Sequence, residues 1–403
     1  MRDVKLLIAA LLGATCLATP VLAQTKAVHF IQCGDKPATG LPEHITEFER
    51  ANPGTKIDLE VVGWSQCEQK VTTLAAAGDP PGLAYVGSRT LPQFYQNGLI
   101  MPVAMSDAEK AAYYPSVLHS VTYDGKILGV PIAMSTEALY WNKDLFRKAG
   151  LDPDKAPTTW QELYDDAKAI KDKTGVAGFG LPAKTYSSTL AIFMTWVYSN
   201  GGSLLENGHV TMNSPNVVQA VEWYKKMAEV SEAGPSAYIR EDLRPMFDDS
   251  KIAMFVSVPS ERKKINPKVP FGIALPPAGP MGKAGDIVIT DSLATFKGTG
   301  VEDVAQKFAK FLTNPENQSA YEQAYGLTPM RQGPQVAALV ASDPSWKPFV
   351  DGVAVAGPEP QFADYVDLQK AVGDMLQSVL LGQSTPAAAV ATAADHLKKQ
   401  LQQ

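Results

Sequence analysis

Cysteine is scarce: Cys16, Cys33 and Cys67 are the only three among 403 residues, too few and too isolated for a cysteine-built metal or catalytic centre. The five histidines, His29, His44, His119, His209 and His396, lack the i, i+4 spacing of a helical zinc site, so no metal is expected. Lys and Arg nowhere cluster densely enough to displace counterions from a polyanion, which argues against nucleic-acid or anionic-membrane binding. Low-complexity tracts and short-period repeats are missing too, which excludes a solenoid and disordered tails. Two stretches come near catalytic motifs and fall short. GWSQC, residues 63–67, lacks the final glycine of a nucleophile elbow, and PAGPMGKAG around Lys283 lacks the first glycine and the Ser or Thr of a phosphate loop. The acid pairs Asp165-Asp166, Glu241-Asp242 and Asp248-Asp249 would point apart on a helix and read as solvated faces, not as the two acids of a glycosidase.

What is present begins with MRDVKLLIAALLGATCLATPVLAQ: basic Arg2 and Lys5, an apolar run, and the small-residue ending Val21-Leu22-Ala23. This reads as a secretory signal cleaved after Ala23. The apolar run is interrupted by Gly13 and Pro20 and falls short of the roughly 20 residues a spanning helix needs. Lipidation at Cys16 would want Gly or Ala before it, where Thr15 stands. Loss of Arg2, Lys5 and Asp3 removes a net +1, so the formal charge of −6 becomes −7. The exported chain keeps Cys33 and Cys67, which in an oxidising compartment read as a disulfide, with two separate buried thiols as the alternative.

Apolar strands and amphipathic helices alternate from residue 27: strand 27–32, helix 41–52, strand 56–62, helix 67–77 and strand 82–86. Helices follow at 159–174, which Thr158 or Thr159 could cap, and at 187–198, 215–233, 301–313 and 317–325. Segments 252–258 and 271–275 read as strands, and the tail from Tyr365 is helical with a break at 382–386. The pattern predicts an α/β fold with largely parallel sheets, and the length suggests two domains.

Several stretches carry a resemblance. GDKPATGLPEHITEFERANPGTKIDL, residues 34–59, resembles the amino-terminal segment of maltodextrin-binding proteins, and TTLAAAGDPPGLAYV the segment that follows there. GVPIAMSTEALYWNKDLFRKAG, residues 129–150, is similar to the first crossover in the carbohydrate-binding proteins of ABC importers, and GGSLLENGHVTMNSPNVVQAVEWYKKM, IAMFVSVPSERKK and YGLTPMRQ continue it in order. The resemblance implies a two-lobed periplasmic binding protein, each lobe a mostly parallel sheet flanked by helices. Its lobes would be 24–134 with 286–329, and 135–285 with 330–403. Hinge crossings would lie at 133–135, 285–290 and 328–331, and a carbohydrate (mono- to oligosaccharide, polyol or acidic derivative) would sit in the cleft between the lobes. The implied partners are that ligand and the permease subunits of an ABC importer; the chain would act as a monomer, without cofactor or catalysis. The rivals are a secreted carbohydrate-active enzyme and a binder of the same fold for a non-sugar anion.

Sugar recognition combines planar polar groups for hydroxyls with aromatic rings for pyranose faces. Asp35 and Lys36, in the Gly-Asp-Lys loop, match the first role by resemblance; a surface ion pair is the bland alternative. Trp64, Tyr140, Trp141, Tyr186, Trp196, Tyr198 and Tyr365 are the aromatic candidates, with Trp64, Tyr186 and Tyr365 preferred. Tyr140 and Trp141 face opposite sides of a strand, so at least one is core. Departures from the family pattern narrow the ligand. Arg89 stands where maltodextrin binders carry a sugar-binding aspartate, Ser135 replaces a hinge glutamate with Glu137 nearby, and Ser260, followed by Glu261, replaces a stacking tryptophan. A long maltodextrin stacked on several rings is therefore not expected. Asn200, Asp286 and Arg331 complete the candidate set. Arg89 has three readings: a donor to neutral hydroxyls, a bidentate clamp on an anion, or a structural cation paired to an acid such as Asp124.

Overall fold

A computed structural model describes residues 25–401 apart from Asp35, Asn207 and Ala363, and the side chains of Trp64 and Ser65 also lie outside the description. The expected signal segment, Cys16, Asp35 and the Trp64 ring therefore fall outside the described residues.

The chain builds two lobes, each around its own sheet. In the first, Lys26–Cys33 runs parallel to Thr55–Val62 on one side and to Leu83–Gly87 on the other. Asp286–Thr295 then enters antiparallel to Leu83–Gly87 and pairs antiparallel with Val130–Ser135. In the second lobe Ala138–Asn142 lies antiparallel between Met254–Ser257 and Phe271–Ala274, and single parallel bridges (Ala177 to Ile252, Phe179 to Ser231) extend that sheet. In each sheet the strand that follows a crossing between lobes runs against its neighbours, and in the first sheet Ala356–Pro358 pairs parallel with the start of that reversed strand. A parallel neighbour needs a covering crossover connection; a strand arriving from the other lobe does not, so it can enter head to tail.

Local sequence explains the flanking helices. Leu41–Ala51 buries Leu41, Ile45 and Phe48, spaced to face one side. Trp160–Thr174 is capped by Thr159, whose hydroxyl accepts from the Glu162 N–H, and ends at Gly175 in the left-handed region. Ser187–Ser199 is buried on almost every side and runs through the middle of the second lobe.

Two large apolar cores result. One joins residues from Val28 to Ala133 with Leu293 to Leu312; the other joins Leu139 to Val256 and Ile287 with Phe362 to Leu397. Period-two alternation along Ala138–Asn142 sends Leu139 and Trp141 into that second core and Ala138 and Tyr140 into a smaller one on the opposite face of the sheet, with Leu243, Phe255 and Phe349. A fourth cluster sits between the cores and gathers Met134, Val288 and Met330 with Tyr113, Val117 and Val353. Those first three residues come from three different chain passages between the lobes. Cys33 and Cys67 form a disulfide that ties the end of the first strand to the first turn of Trp64–Ala76.

Candidate functional site

The strongest concentration of buried charge lies where the two cores face each other, and Arg89 is its centre. Arg89 sits in the turn Ser88–Thr90 after Leu83–Gly87, with its side chain about nine-tenths buried. Nη2 donates to Glu68 Oε1 at 2.5 Å, and Nη1 lies 3.6 Å from Glu359 Oε1. Its carbon centre stands 5.3 Å from the middle of the Tyr365 ring, whose hydroxyl donates to Glu359 at 3.2 Å. Asp291 lies within the same field and accepts from the Tyr85 hydroxyl at 2.8 Å. Glu68 and Asp291 hang from the first lobe, Tyr365 from the second, so the cluster spans both. Gly87 makes room for it: a Cβ there would fall 2.4 Å from Arg89 Nη1 and 2.7 Å from Glu68 Oε1.

Burial drives the titration of this group. Desolvation alone would favour a neutral guanidine, but Glu68 and Glu359 outweigh it and hold Arg89 well above its ordinary value. Glu359 is pushed up to about 7 by burial, against the pull of Arg89, and Asp291 to about 6 for the same reason. Two buried atoms here have no partner among the described residues: Arg89 Nε and Glu359 Oε2.

A second charged group faces it from the other lobe. Arg240, in the first turn of Arg240–Asp248, donates to Glu137 Oε1 and to Glu241 Oε1, each at 2.8 Å. Glu241 Oε2 accepts from Ser188 at 2.6 Å. Burial pushes Glu241 up, yet the Arg240 charge and the Ser188 hydroxyl outweigh it and leave this carboxyl below its usual range. Glu137 is fully buried and raised to about 7 by desolvation; its Oε2 has no partner among the described residues. Tyr186, half-buried just ahead of Ser187–Ser199, is within electrostatic reach of Glu241, Glu68, Arg89 and Arg240, and so bridges the two groups.

Of the residues singled out in the sequence, Arg89, Glu137, Tyr186 and Tyr365 meet in this region. Asp286 abuts it: its carboxylate accepts the Glu137 backbone N–H with both oxygens at 3.1 Å, which fixes the segment carrying Glu137. Ser135 ends a hinge strand opposite Ile289, and Glu261 pairs with Arg244 at 3.1 Å one turn beyond Arg240. Lys36 is exposed in the loop after the first strand. Asn200 and Arg331 stand apart. Asn200 is buried and donates to Asn216 O and Gln219 Oε1 while accepting from Met281 N. Arg331 donates to the Tyr113 hydroxyl and to Thr313 O, with its guanidinium over the Tyr113 ring. Tyr140 and Trp141 are both core: the Tyr140 hydroxyl donates to Val258 O and Trp141 Nε1 to Pro153 O. Trp196 packs on Trp160, and the Tyr198 hydroxyl donates to Pro358 O. Asp124 is paired with Lys126 and does not meet Arg89.

Nothing in the sequence joins Glu68, Arg240, Glu241, Asp291 and Glu359 into a set; Glu241 is exposed, as expected of a solvated helix face, and also pairs with Arg240 and Ser188. The signals were faint: Arg-Glu adjacency in Tyr-Ile-Arg-Glu-Asp, and a lone acid between prolines in Pro-Glu-Pro. Two small voids lie elsewhere, one between Phe30, Tyr85 and Tyr321 inside the first lobe, the other beside Trp160 and Trp196. They are lined mainly by apolar core, whereas Arg89, Glu137 and Glu359 each bring an unmatched buried polar atom to the charged cluster. No group of His, Cys, Asp and Glu among the described residues is arranged to hold a metal.

Two α/β lobes around separate cores, three connecting passages and a buried charged cluster at their junction define a hinged solute receptor. The chain belongs to the bacterial extracellular solute-binding protein family, whose pattern matches residues 35–319. A binding protein of Brucella abortus is 31% identical over 356 residues, with 86% of each chain covered. The sn-glycerol-3-phosphate-binding periplasmic protein UgpB of Salmonella typhimurium is 26% identical over 389 residues, again with 86% of each covered. Among solved structures, an ABC transporter solute-binding protein of Thermotoga lettingae bound with α-D-tagatose superposes with a TM-score of 0.81 at 26% identity, covering 93% of this chain and all of its own. No helix among the described residues is long and apolar enough to cross a membrane.

Proposed function

We propose that this chain captures an uncharged sugar or polyol between its lobes, closes over it by a hinge motion, and delivers it to the permease of an ABC importer. The observation that carries the ligand class is the state of Arg89. Nη2 donates to Glu68 and Nη1 lies 3.6 Å from Glu359, so two carboxylates already flank the cation, while Nε is a buried donor without a partner among the described residues. An anion would have to share the guanidinium with those acids, whereas a hydroxyl can accept from a free N–H without bringing further negative charge. The acids Glu68, Glu241 and Asp291, with partial charge on Glu137 and Glu359 near neutral pH, also outnumber Arg89 and Arg240, which repels an anion. The tagatose-bound relative fits this reading better than the glycerol-3-phosphate-binding one.

In this reading the lobes are 24–134 with 286–329 and 135–285 with 330–403, hinged near Met134, Val288 and Met330. Tyr186 and Tyr365 supply rings, Glu137 accepts hydroxyls, and Asp35, Lys36 and Trp64 contribute from the first lobe. Residues 1–23 direct export to the periplasm, and the mature chain works as a monomer that returns its ligand chemically unchanged. A thermal-shift screen of the mature chain against neutral sugars, polyols, uronic acids and sugar phosphates tests this. A true ligand at a thousandfold excess over its Kd stabilises by about 4 kcal/mol. Silence from every neutral carbohydrate, or release of a hydrolysis product, would overturn the assignment.

A further inference from the structure

We infer that Glu68 and Glu359 are specificity-determining residues: by flanking the Arg89 guanidinium and compensating its charge, they keep anionic ligands out of a cleft that holds a strong cation. The inference rests on the reading of this cleft as the carbohydrate site and assigns to two acids a role distinct from touching the sugar.

The geometry supplies the argument. A guanidinium recognises an anion through adjacent N–H groups in one plane, as a fork. In Arg89, Nη2 is taken by Glu68 at 2.5 Å and Nη1 is aimed at Glu359 at 3.6 Å. The Tyr365 ring lies against the cation, and the side chain is about nine-tenths buried. An incoming carboxylate or phosphate would have to displace one of two carboxylates already in place. Neither can leave easily: the Glu68 carboxylate also accepts the Gly87 N–H at 3.2 Å, and the Glu359 carboxylate accepts from the Tyr365 hydroxyl. Glu359 follows Ala356–Pro358, which pairs with Asp286–Val288, so its position is fixed by a sheet at the hinge. With Asp291 also in the field, three acids surround one cation, and a ligand meets net negative charge. The tightness of Gly87 against both members of the Arg89–Glu68 pair leaves no space for the guanidinium to turn its fork elsewhere on that side. The N–H groups that Glu68 and Glu359 do not face, Nε–H among them, are left for neutral oxygens that add no charge.

Removing one carboxylate without changing its shape should therefore open the fork. Glu359→Gln, Glu68→Gln and the double variant are compared with the wild-type mature chain by calorimetric titration, using glucuronate, glucose 6-phosphate and glycerol 3-phosphate beside the neutral ligand found by screening. Each added charge-assisted contact tightens binding by about tenfold. The expected result is that the ratio of anion to neutral affinity rises by about that factor in Glu359→Gln and further in the double variant. Adding Arg89→Met to Glu359→Gln should erase the gain, which a general loosening of the cleft would not do. Glu68 is one-third exposed, so Glu68→Gln keeps the test available if the Glu359 variant folds poorly. An unchanged ratio in every folded variant overturns the inference, as does a wild-type chain that takes an anion as tightly as a neutral sugar. If the wild type takes no carbohydrate, the sugar reading falls, while gain or absence of anion binding in Glu359→Gln still decides the role of the acids.

Discussion

Arg240 donates to Glu137 at 2.8 Å across the second lobe, and this is an ion pair whose acid has no solvent exposure while its base keeps a sixth of its side chain exposed. The base can therefore be removed with water at hand, but the acid is left stranded.

Arg240→Ala should be costly at neutral and alkaline pH and mild in acid. Breaking a buried pair on one side costs about 3–5 kcal/mol because a charge is left uncompensated. Glu137 has its folded pKa raised to about 7 by burial, and without Arg240 it rises further. Below that value the side chain is neutral and the penalty largely disappears. Urea titrations of wild type and Arg240→Ala at pH 5 and pH 8 compare the two; equal losses at both would sink the account.

Glu232 provides a pH response remote from the cleft. Burial raises it to about 7, while the Leu181 N–H donates to both of its oxygens at 3.1–3.2 Å. A carboxyl raised in the folded state binds its proton more tightly there, so its contribution is full below the unfolded value and is lost as pH climbs through about 4.5 to 7. Glu232→Gln retains an acceptor for Leu181 and cannot ionise. Stability should therefore fall between pH 5 and pH 7.5 by about 2–3 kcal/mol less in the variant than in wild type. Parallel profiles would refute it.

Asn200→Ala separates architecture from recognition. Its amide bridges the end of Ser187–Ser199 to Asn216, Gln219 and Met281, with every strong hydrogen-bonding group engaged. Truncation strands buried partners and should cost about 2–4 kcal/mol. Ligand affinity, measured at a temperature where the variant stays folded, should be unchanged; a loss of tenfold or more would return Asn200 to the binding site.

Loss of the Cys33–Cys67 bond should act on one lobe. In the chain-entropy picture a loop of this length contributes about 4 kcal/mol. The bond joins the end of the first strand to the helix that carries Glu68, so its loss should also loosen the Arg89 partner. Hydrogen exchange in Cys33→Ser/Cys67→Ser should rise around residues 33–37 and 64–70 and stay flat in 160–230, and ligand affinity should drop. Uniform acceleration across both lobes would contradict this.

The fold was more legible than the site. Helix 160–174 is written locally by Thr159, an apolar stripe and Gly175, and the structure places it there. The reversed strands were not legible, because direction depends on which lobe the chain has just left. Within the site, Arg89 and Tyr365 could be singled out one at a time, but Glu359 is 270 positions from Arg89 and joins it only through the pairing of residues 356–358 with 286–288. Glu241 keeps the exposure expected of adjacent acids on a helix, but its pairing with Arg240 and Ser188 is set by packing that the sequence does not display. Asn200 and Arg331 carry groups suited to sugars, but the Asn200 amide and the Arg331 Nη2 are taken by backbone carbonyls and neighbouring side chains, leaving Arg331 Nε without a partner among the described residues.

The strand Asp286–Thr295 also sets a schedule for making the protein. It stands between Leu83–Gly87 and Val130–Ser135, so the first lobe has a gap through its sheet until the ribosome has passed residue 295. The apolar face it brings, followed by Phe308 and Leu312, completes that core. The amino-terminal third of the chain is thus synthesised early and completed late, because Asp291 pairs back to Gly87 and Ile289 to Ser135, and such long-range closure is slow. Nascent chains stalled at residue 280 should be protease-sensitive throughout residues 25–135, and those stalled well beyond residue 312 should not. A receptor built this way stays unfolded, and so threadable, for most of its own synthesis.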